Sequence, residues 1–286
     1  MSRIIIYFTA MRVKHYIKNL FVFIPLFFSQ NLFSAQKFII AFVVFTAFCF
    51  ASSACYLLND IHDAERDRLH PLKKFRPIAS GGLCTANAYI FAVMLLSVSI
   101  GLIYIFLPKI ETAVLSYIAA YIGINVLYTI RLKNVPLVDC FCIAAGFLLR
   151  LYAGGAAVYV EVSDWLLLTS LSLSLFMAFG KRRGELIKLP DGQTRPVLKK
   201  YNFGFLNGAM FMSAGLFVVF YSMWALGRNR SMIYTTPLVL LITFRYVLNV
   251  YGDDSSGDPT NIIFEDKLLM CAGAVYTLAV MFCLYI

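Results

Sequence analysis

Charged residues are scarce in this sequence: they make up 14% of its 286 residues, against roughly a quarter in soluble domains. Hydrophobic residues make up 60%. A water-soluble protein of this length could not bury so much apolar surface, because the size of its core is limited by its volume. The composition therefore excludes an ordinary soluble domain and predicts an integral membrane protein.

Residue pairs that typically bind zinc or form disulfides are also missing. The seven cysteines are scattered, mostly within apolar runs, and none forms a Cys-x-x-Cys pair. We interpret them as small buried hydrophobic residues in a reduced setting. The sequence shows no Ser–His–Asp or Cys–His arrangement of the kind used in nucleophilic catalysis.

Apolar segments dominate the rest of the chain, and each is bounded by polar, proline or glycine residues. Their lengths match the roughly 20 residues that cross a bilayer as a helix. Backbone polar groups in lipid must be satisfied internally, which favours helices, and the long apolar runs exclude the alternation of a membrane β-barrel. We predict an all-α protein with about nine transmembrane helices, in residues 17–33, 38–58, 86–107, 111–130, 136–158, 164–180, 203–226, 232–250 and 267–286.

Lysine and arginine concentrate on one side of this predicted topology, the side of the N-terminus. The positive-inside rule therefore predicts a cytoplasmic N-terminus. The long polar loops 59–84, 181–202 and 251–266 fall on the same side, so we expect the active site there. Because the net charge of +10 lies in loops, we interpret it as a topology signal and a source of lipid-phosphate contacts, and we expect no nucleic-acid partner. We find no linker, which predicts one domain over residues 1–286.

The sharpest local signal is an acidic stretch, which reads NDIHDAERDRLHPLKKFRPIASGG from Asn59 to Gly82. Asn59, Asp63 and Asp67 recur every four residues, so on a helix they lie along one face. Asp60 joins the edge of that face. Oxygen donors in this pattern suit Mg²⁺, which shares its coordination sphere with substrate phosphates. Basic residues that follow the motif could then neutralise a polyphosphate.

Two other interpretations of this stretch remain open. It could be a solvated helix end whose charges form ordinary surface pairs, which contribute little. Zinc is a second alternative because His62 and His70 are near, but His62 points about 100° away from Asp63 on a helix and no cysteine is close. Two arginines, Arg150 and Arg245, fall within predicted spans, where an unpaired cation is unfavourable. We expect Arg150 to face a cavity or pair with Asp139, and Arg245 to lie near Asp253 or Asp254.

The stretch NDIHDAERD resembles the NDxxDxxxD motif of the UbiA superfamily of intramembrane prenyltransferases. Further stretches resemble one branch, the polyprenyl-phosphate phosphoribosyltransferases. They read MRVKHYIKNLFVFIPL, HPLKKFRPIASG, YTIRLKNVPLVD with AAGFLLRLYAGG, FMAFGKRRGEL and GDPTNIIFED. The resemblance runs from residue 11 to about residue 266. It implies a UbiA-like helical bundle with cytoplasmic active-site loops, in a bacterial inner membrane.

The resemblance also implies an activity and its residues. A Mg²⁺-dependent enzyme would transfer 5-phosphoribose from phosphoribosyl pyrophosphate to a polyprenyl phosphate in cell-envelope glycan precursor synthesis. Asp63 and Asp67 are the expected catalytic residues. The expected ligands of Mg²⁺ are Asn59, Asp60, Asp63 and Asp67. The expected donor-binding residues are Lys73, Arg76, Tyr128, Lys133, Lys181, Arg182, Arg183 and Glu185. Lys14, Lys18 and Asn19 lie on an amphipathic stretch at the membrane surface, where they could hold the lipid phosphate, although interfacial anchoring explains them equally well.

One departure from the wider superfamily supports this branch. Members that use prenyl diphosphates carry a second aspartate cluster after the sixth helix, whereas this chain reads GKRRGELIKLPDGQTRP there. The basic residues of that loop fit a further phosphate group, although a plain topology signal explains them equally well. The alternative functions are prenyl transfer from a prenyl diphosphate to an aromatic or other acceptor, and transport. Charges that crowd at one membrane face argue against transport. A homo-oligomer stays possible.

Overall fold

The structure is a computed structural model that describes residues 3–188, 196–252, 262 and 264–286. These residues form helices and connecting turns, and no β-strand occurs among them, which confirms the all-α prediction. The α-helices are α1 (Arg3–Met11), α2 (Ile24–Phe28), α3 (Ala35–His62), α4 (Ala64–Leu69), α5 (Thr85–Phe106), α6 (Glu111–Ile130), α7 (Val138–Ala157), α8 (Asp164–Lys188), α9 (Phe203–Arg228), α10 (Thr236–Tyr251) and α11 (Lys267–Tyr285). Short 3₁₀ helices lie at Val13–Phe23, Lys73–Phe75, Leu132–Asn134, Pro196–Lys200 and Arg230–Thr235.

Seven helical stretches in the described part of the chain are long and apolar enough to cross a membrane, which confirms a multi-pass membrane protein. They are Ala35–His62, Thr85–Phe106, Thr112–Ile130, Val138–Ala157, Phe203–Arg228, Arg230–Tyr251 and Lys267–Tyr285. Two predicted spans differ. Residues 17–33 form part of a 3₁₀ helix and the five-residue α2, and α8 is 25 residues long but is not among the seven. The count of nine spans and the orientation stay predictions.

The chain divides into two compact units, Met1–Glu161 and Val162–Ile286. The prediction of one domain over residues 1–286 stays a prediction. In the first unit α3 is the central helix, and it packs against α5, α6, α7 and the 3₁₀ helix Val13–Phe23. Buried small residues of α3, such as Ala47 and Ala51, let the neighbouring helices approach closely. The central position of α3 fixes the place of its C-terminal end, where the acidic motif begins.

In the second unit α8 packs along α9, and α10 contacts both of them. Gly180 of α8 faces Tyr246 of α10, because a Cβ atom at position 180 would lie 3.4 Å from the tyrosine hydroxyl. A small residue is therefore needed where α8 and α10 approach each other. The basic residues of GKRRGEL follow directly in the last turns of α8.

Candidate active site

The acidic motif lies where α3 ends and α4 begins. The sequence predicts helical spacing of Asn59, Asp63 and Asp67, and in the structure α3 ends at His62 and α4 begins at Ala64, with Asp63 between them at φ −95° and ψ 3°. The backbone N–H of Asp63 still donates to the Asn59 carbonyl at 2.9 Å, and that of Asp67 donates to the Asp63 carbonyl at 2.8 Å. The helical spacing therefore continues through the break.

Two arginines hold two of the motif's carboxylates. Arg76 Nη1 donates to Asp67 Oδ2 at 2.6 Å and to Asp60 Oδ1 at 3.0 Å. Arg12 Nη2 pairs with the same Asp60 oxygen. Both aspartates are only 4% exposed. Buried carboxylates without partners would be very unfavourable, so these pairs are needed to hold the motif in the fold.

A lysine in the 3₁₀ helix Leu132–Asn134, which follows α6, holds the third carboxylate. Lys133 Nζ lies 2.6 Å from Asp63 Oδ1, and the lysine is 7% exposed. One turn earlier, the Thr129 hydroxyl donates to Asn59 Oδ1 at 3.4 Å. The turn after α6 is therefore fastened to the end of α3. Sequence analysis placed Lys133 in the site, as the structure does, but it missed Thr129.

The first unit brings together six of the predicted site residues: Asn59, Asp60, Asp63, Asp67, Arg76 and Lys133. Lys73 is half-buried in the 3₁₀ helix Lys73–Phe75, and its charge acts on Asp67. Tyr128 is half-buried near the end of α6. Arg12 is not among the site residues predicted from the sequence, because its positive charge is explained there as a topology signal.

The pKa of Asp67 is raised above its ordinary value. Burial is the largest cause, because it disfavours the ionised carboxylate. The charges of Arg76 and Lys73 act in the opposite direction without cancelling it. A further cation at this carboxylate would favour its ionised form, as Mg²⁺ would.

The donor set of the motif fits Mg²⁺ in chemistry, because it consists of carboxylate and amide oxygens, the hard ligands this ion prefers. Among the described residues, no three acidic, histidine or cysteine side chains are placed to share one ion. Asp60, Asp63 and Asp67 instead each face a protein cation. An ion bound here would therefore take the place of one or more of these cations.

The residues predicted to bind the lipid phosphate lie on the 3₁₀ helix Val13–Phe23. Lys14 is exposed and Lys18 is half-buried. Asn19 is fully buried, and its amide oxygen accepts a hydrogen bond from Arg150 Nε at 2.6 Å. Arg150 thus hydrogen bonds to uncharged groups. That Asn19 binds a lipid phosphate stays a prediction, and its buried contacts indicate an additional role.

The predicted donor-binding residues of the second unit make contacts within that unit. Arg182 is fully buried and pairs with Glu185 at 2.7 Å, while Lys181 is half-buried. Arg183 donates to Asn207 Oδ1 at 2.9 Å. Its guanidinium carbon also lies 3.7 Å from the centre of the Tyr251 ring. Phosphate binding by these residues stays a prediction.

Arg245 pairs with an aspartate that was not predicted from the sequence. Asp253 and Asp254 lie outside the described residues. Arg245 Nε donates to Asp266 Oδ2 at 2.7 Å, and Asp266 Oδ1 caps α11 by accepting from the Leu269 N–H at 2.9 Å. The pKa of Asp266 is lowered, because these hydrogen bonds and one from Asn249 outweigh the opposing effect of burial.

Comparisons with known proteins identify a matching family and several relatives. The model of the UbiA prenyltransferase family matches residues 20–264. The decaprenyl-phosphate phosphoribosyltransferase of Corynebacterium glutamicum is 34% identical over 97% of this chain and 86% of its own length. The enzyme of that name from Mycolicibacterium smegmatis is 35% identical over 82% of this chain and 76% of its own length.

The fold also matches solved structures. A UbiA homolog from Archaeoglobus fulgidus bound to GPP and Mg²⁺ superposes with a TM-score of 0.73, over 98% of this chain and all of the other. A digeranylgeranylglyceryl phosphate synthase gives a TM-score of 0.65 over 99% of each chain. Both are 17% identical to this chain, so they support the fold alone. The expected UbiA-like fold is confirmed.

Proposed function

This chain belongs to the UbiA prenyltransferase family, and on that premise we propose that it transfers 5-phosphoribose from phosphoribosyl pyrophosphate to a polyprenyl phosphate and releases pyrophosphate. The observation that carries the proposal is the identity of 34–35% to relatives named decaprenyl-phosphate phosphoribosyltransferase, over most of the chain. The paired aspartate motif supplies the chemistry that the reaction needs.

In this reaction the bond between C1 of the ribose and the pyrophosphate oxygen breaks, and its electron pair leaves with pyrophosphate. An oxygen of the lipid phosphate forms the new bond to C1. This oxygen is already anionic near neutral pH, so no general base is required. A reaction that needs no general base agrees with a site built from aspartates, arginines and a lysine.

The proposed metal ligands are Asn59, Asp60, Asp63 and Asp67, with Asp63 and Asp67 as the catalytic pair. Mg²⁺ bound there would neutralise charge on the leaving pyrophosphate. The cations now paired with these carboxylates would then be free to contact the donor's phosphates, as bidentate or point-charge partners. Arg12, Arg76 and Lys133 lie closest for this task.

The remaining assignments concern both substrates and the membrane. Lys14 and Lys18, which retain exposure, are the proposed ligands of the lipid phosphate, with Asn19 in the same helix. Lys73 and Tyr128 are proposed to contact the donor. In the second unit the candidate donor contacts are Lys181, Arg182, Arg183 and Glu185. The bacterial relatives support a location in a bacterial inner membrane and a role in cell-envelope glycan precursor synthesis.

A second candidate function keeps the fold and changes the donor. The solved A. fulgidus homolog binds GPP, a prenyl diphosphate. This favours a prenyl diphosphate as the donor, with transfer to an aromatic or other acceptor. The basic loop GKRRGEL, in place of a second aspartate cluster, argues against it.

The test is transfer of radiolabel in detergent. Purified protein is incubated with labelled phosphoribosyl pyrophosphate, a polyprenyl phosphate and Mg²⁺, and the lipid phase is extracted. Asp63→Asn is expected to lower the transfer rate by about 10²-fold or more, because one ligand and one charge are lost. Glu65→Gln is the matched control, since Glu65 is an exposed acidic residue of α4 in the same motif.

Label that enters the lipid with wild type and Glu65→Gln, but not after EDTA treatment, would support donor, acceptor and metal together. Turnover of a prenyl diphosphate with no labelled lipid would replace the proposal by the second candidate. Equal activity of Asp63→Asn and Glu65→Gln would remove the motif from the mechanism.

A further inference from the structure

A buried arginine in α7 is not used by the proposed mechanism. Arg150 is 4% exposed and lies within the candidate span Val138–Ala157. It donates to three uncharged acceptors: Asn19 Oδ1 at 2.6 Å, the Gly146 carbonyl at 2.6 Å and the Tyr121 hydroxyl at 3.0 Å. A cation buried within a membrane span is unfavourable, and such residues usually have a function.

The main partner of Arg150 belongs to the 3₁₀ helix Val13–Phe23. Asn19 is fully buried, and its amide nitrogen donates to Ser52 Oγ at 3.4 Å and to Cys49 Sγ at 3.2 Å. Both acceptors lie on α3. One side chain therefore fastens the 3₁₀ helix to α3 and, through Arg150, to α7.

A glycine of α7 fixes the same helix at a second point. Gly154 lies four residues after Arg150, so both face the same side of α7. A Cβ atom at Gly154 would lie 2.0 Å from the carbonyl oxygen of Val22. The backbones are thus in direct contact, which only glycine allows. Asn19 and Val22 are one turn apart on the 3₁₀ helix, so the helix is held in position and in rotation.

The other end of this 3₁₀ helix leads into the active site. Arg12 precedes it in the left-handed conformation, with φ 54° and ψ 49°. Its guanidinium pairs with Asp60 and lies 4.9 Å from the centre of the Tyr56 ring. Seven residues separate Arg12 from Asn19, about 14 Å at the rise of a 3₁₀ helix. A shift of the helix at Asn19 would therefore move Arg12 away from Asp60.

From these contacts we infer that Asn19, Arg150 and Gly154 are positioning residues, which hold the 3₁₀ helix so that Arg12 reaches Asp60. The inference rests on the proposed function for its activity assay. It differs from the prediction that Asn19 binds the lipid phosphate, because here Asn19 acts through Arg12.

A double-mutant cycle tests the inference. Arg150→Met is expected to lower kcat/KM about tenfold in wild type, but no more than about twofold when Arg12→Met is already present, because residues that act through one another are not additive. Ser99→Ala is the matched control: Ser99 is buried and joins α5 to α3 through the Ala47 carbonyl at 2.8 Å. In the double variant, the fold losses in kcat/KM caused by Ser99→Ala and by Arg12→Met are expected to multiply, within about twofold. Full multiplication for Arg150→Met would overturn the inference.

Asn19→Asp separates positioning from direct binding. The aspartate still accepts a hydrogen bond from Arg150 but loses the donor that contacts α3. Because positioning acts through Arg12 at Asp60, it predicts a KM for polyprenyl phosphate within about twofold of wild type. A direct contact with the lipid phosphate predicts a KM raised about tenfold or more, because like charges repel. That second outcome would overturn the inference.

The same double-mutant cycle is also measured through the melting temperatures of the variants in detergent without substrate. Coupling of Arg12→Met with Arg150→Met is expected there too, so the inference can be tested even if wild type transfers no phosphoribose. Variants that do not give a monodisperse peak in gel filtration are replaced, with Asn19→Leu in place of Arg150→Met. If the changes in melting temperature caused by Arg12→Met and by Arg150→Met (or its replacement Asn19→Leu) are additive, the inference is contradicted independently of the proposed function.

Discussion

Removal of Lys133 tests the charge pairing of the candidate site most directly. Lys133 Nζ lies 2.6 Å from Asp63 Oδ1, and the two side chains are 8% and 18% exposed. Removing one partner of a buried pair typically costs about 3–5 kcal/mol, because the other charge is left uncompensated. Asp63 keeps some contact with water, so we expect about 3 kcal/mol for Lys133→Met, at the lower end of that range.

This loss is measured as a change in melting temperature of the protein in detergent. At roughly 2–4 °C per kcal/mol for a chain of this size, Lys133→Met should melt about 6–12 °C below wild type. The double variant Lys133→Met with Asp63→Asn should regain most of the difference, since it leaves no unpaired charge. Lys74→Met is the control, because Lys74 is an exposed lysine of the 3₁₀ helix Lys73–Phe75 and its loss should change stability by less than about 0.5 kcal/mol.

Magnesium should act differently on these variants. In Lys133→Met the Asp63 carboxylate is free to accept an ion, so MgCl₂ without donor should raise the melting temperature more than in wild type. An ion at ten times its Kd stabilises by about 1.4 kcal/mol. NaCl at matched ionic strength should not reproduce the shift. The reasoning is refuted if single and double variants melt alike, or if Mg²⁺ shifts wild type, single and double variants equally.

Two further predictions concern aspartates whose pKa values are shifted in opposite directions. The pKa of Asp67 is raised in the fold, so its ionisation above about pH 4 lowers stability; relative to wild type, Asp67→Asn should therefore melt higher near pH 7 than near pH 4, and its activity should be lost. The pKa of Asp266 is lowered, so its stabilising effect is present above about pH 4 and is lost as pH falls below that value. Asp266→Ala should cost about 1 kcal/mol or more near pH 7, because the cap of α11 and the pair with Arg245 are lost. The cost should be smaller in acid. Melting curves recorded from pH 4 to pH 8 check both, and a pH-independent difference in either case would contradict the sign of the shift.

The sequence was sufficient for the fold class and for the core of the motif. Long apolar runs follow from the bilayer as solvent, and a four-residue spacing of oxygen donors is local, so both can be recognised along the chain. The break between α3 and α4 at Asp63 could not be recognised from the sequence, because the four-residue spacing of the motif continues through it. The sequence also could not show that Arg12 and Thr129 join the site, because they are 48 and 70 residues away from their partners Asp60 and Asn59.

The first predicted span, residues 17–33, is not among the seven long apolar helices of the described residues. Its apolar content suits a membrane helix, but residues 17–23 belong to a 3₁₀ helix, residues 24–28 form α2, and turns follow. Pro25 lacks a backbone N–H and begins the short α2. The close contact with Gly154 of α7 then favours the thin 3₁₀ form, and such a contact is visible only in three dimensions.

The pairing of the aspartates also explains how one motif can serve both folding and chemistry. Near the end of a membrane helix, three carboxylates at helical spacing repel one another and oppose folding. Their protein cations come from three separate places in the chain: before the 3₁₀ helix Val13–Phe23, after α4, and after α6. Each ion pair therefore joins the motif to another part of the fold. The same cations are complementary in charge to a polyphosphate. If each cation exchanged its carboxylate partner for a phosphate of the donor, a contact that stabilises the fold would become one that binds the donor.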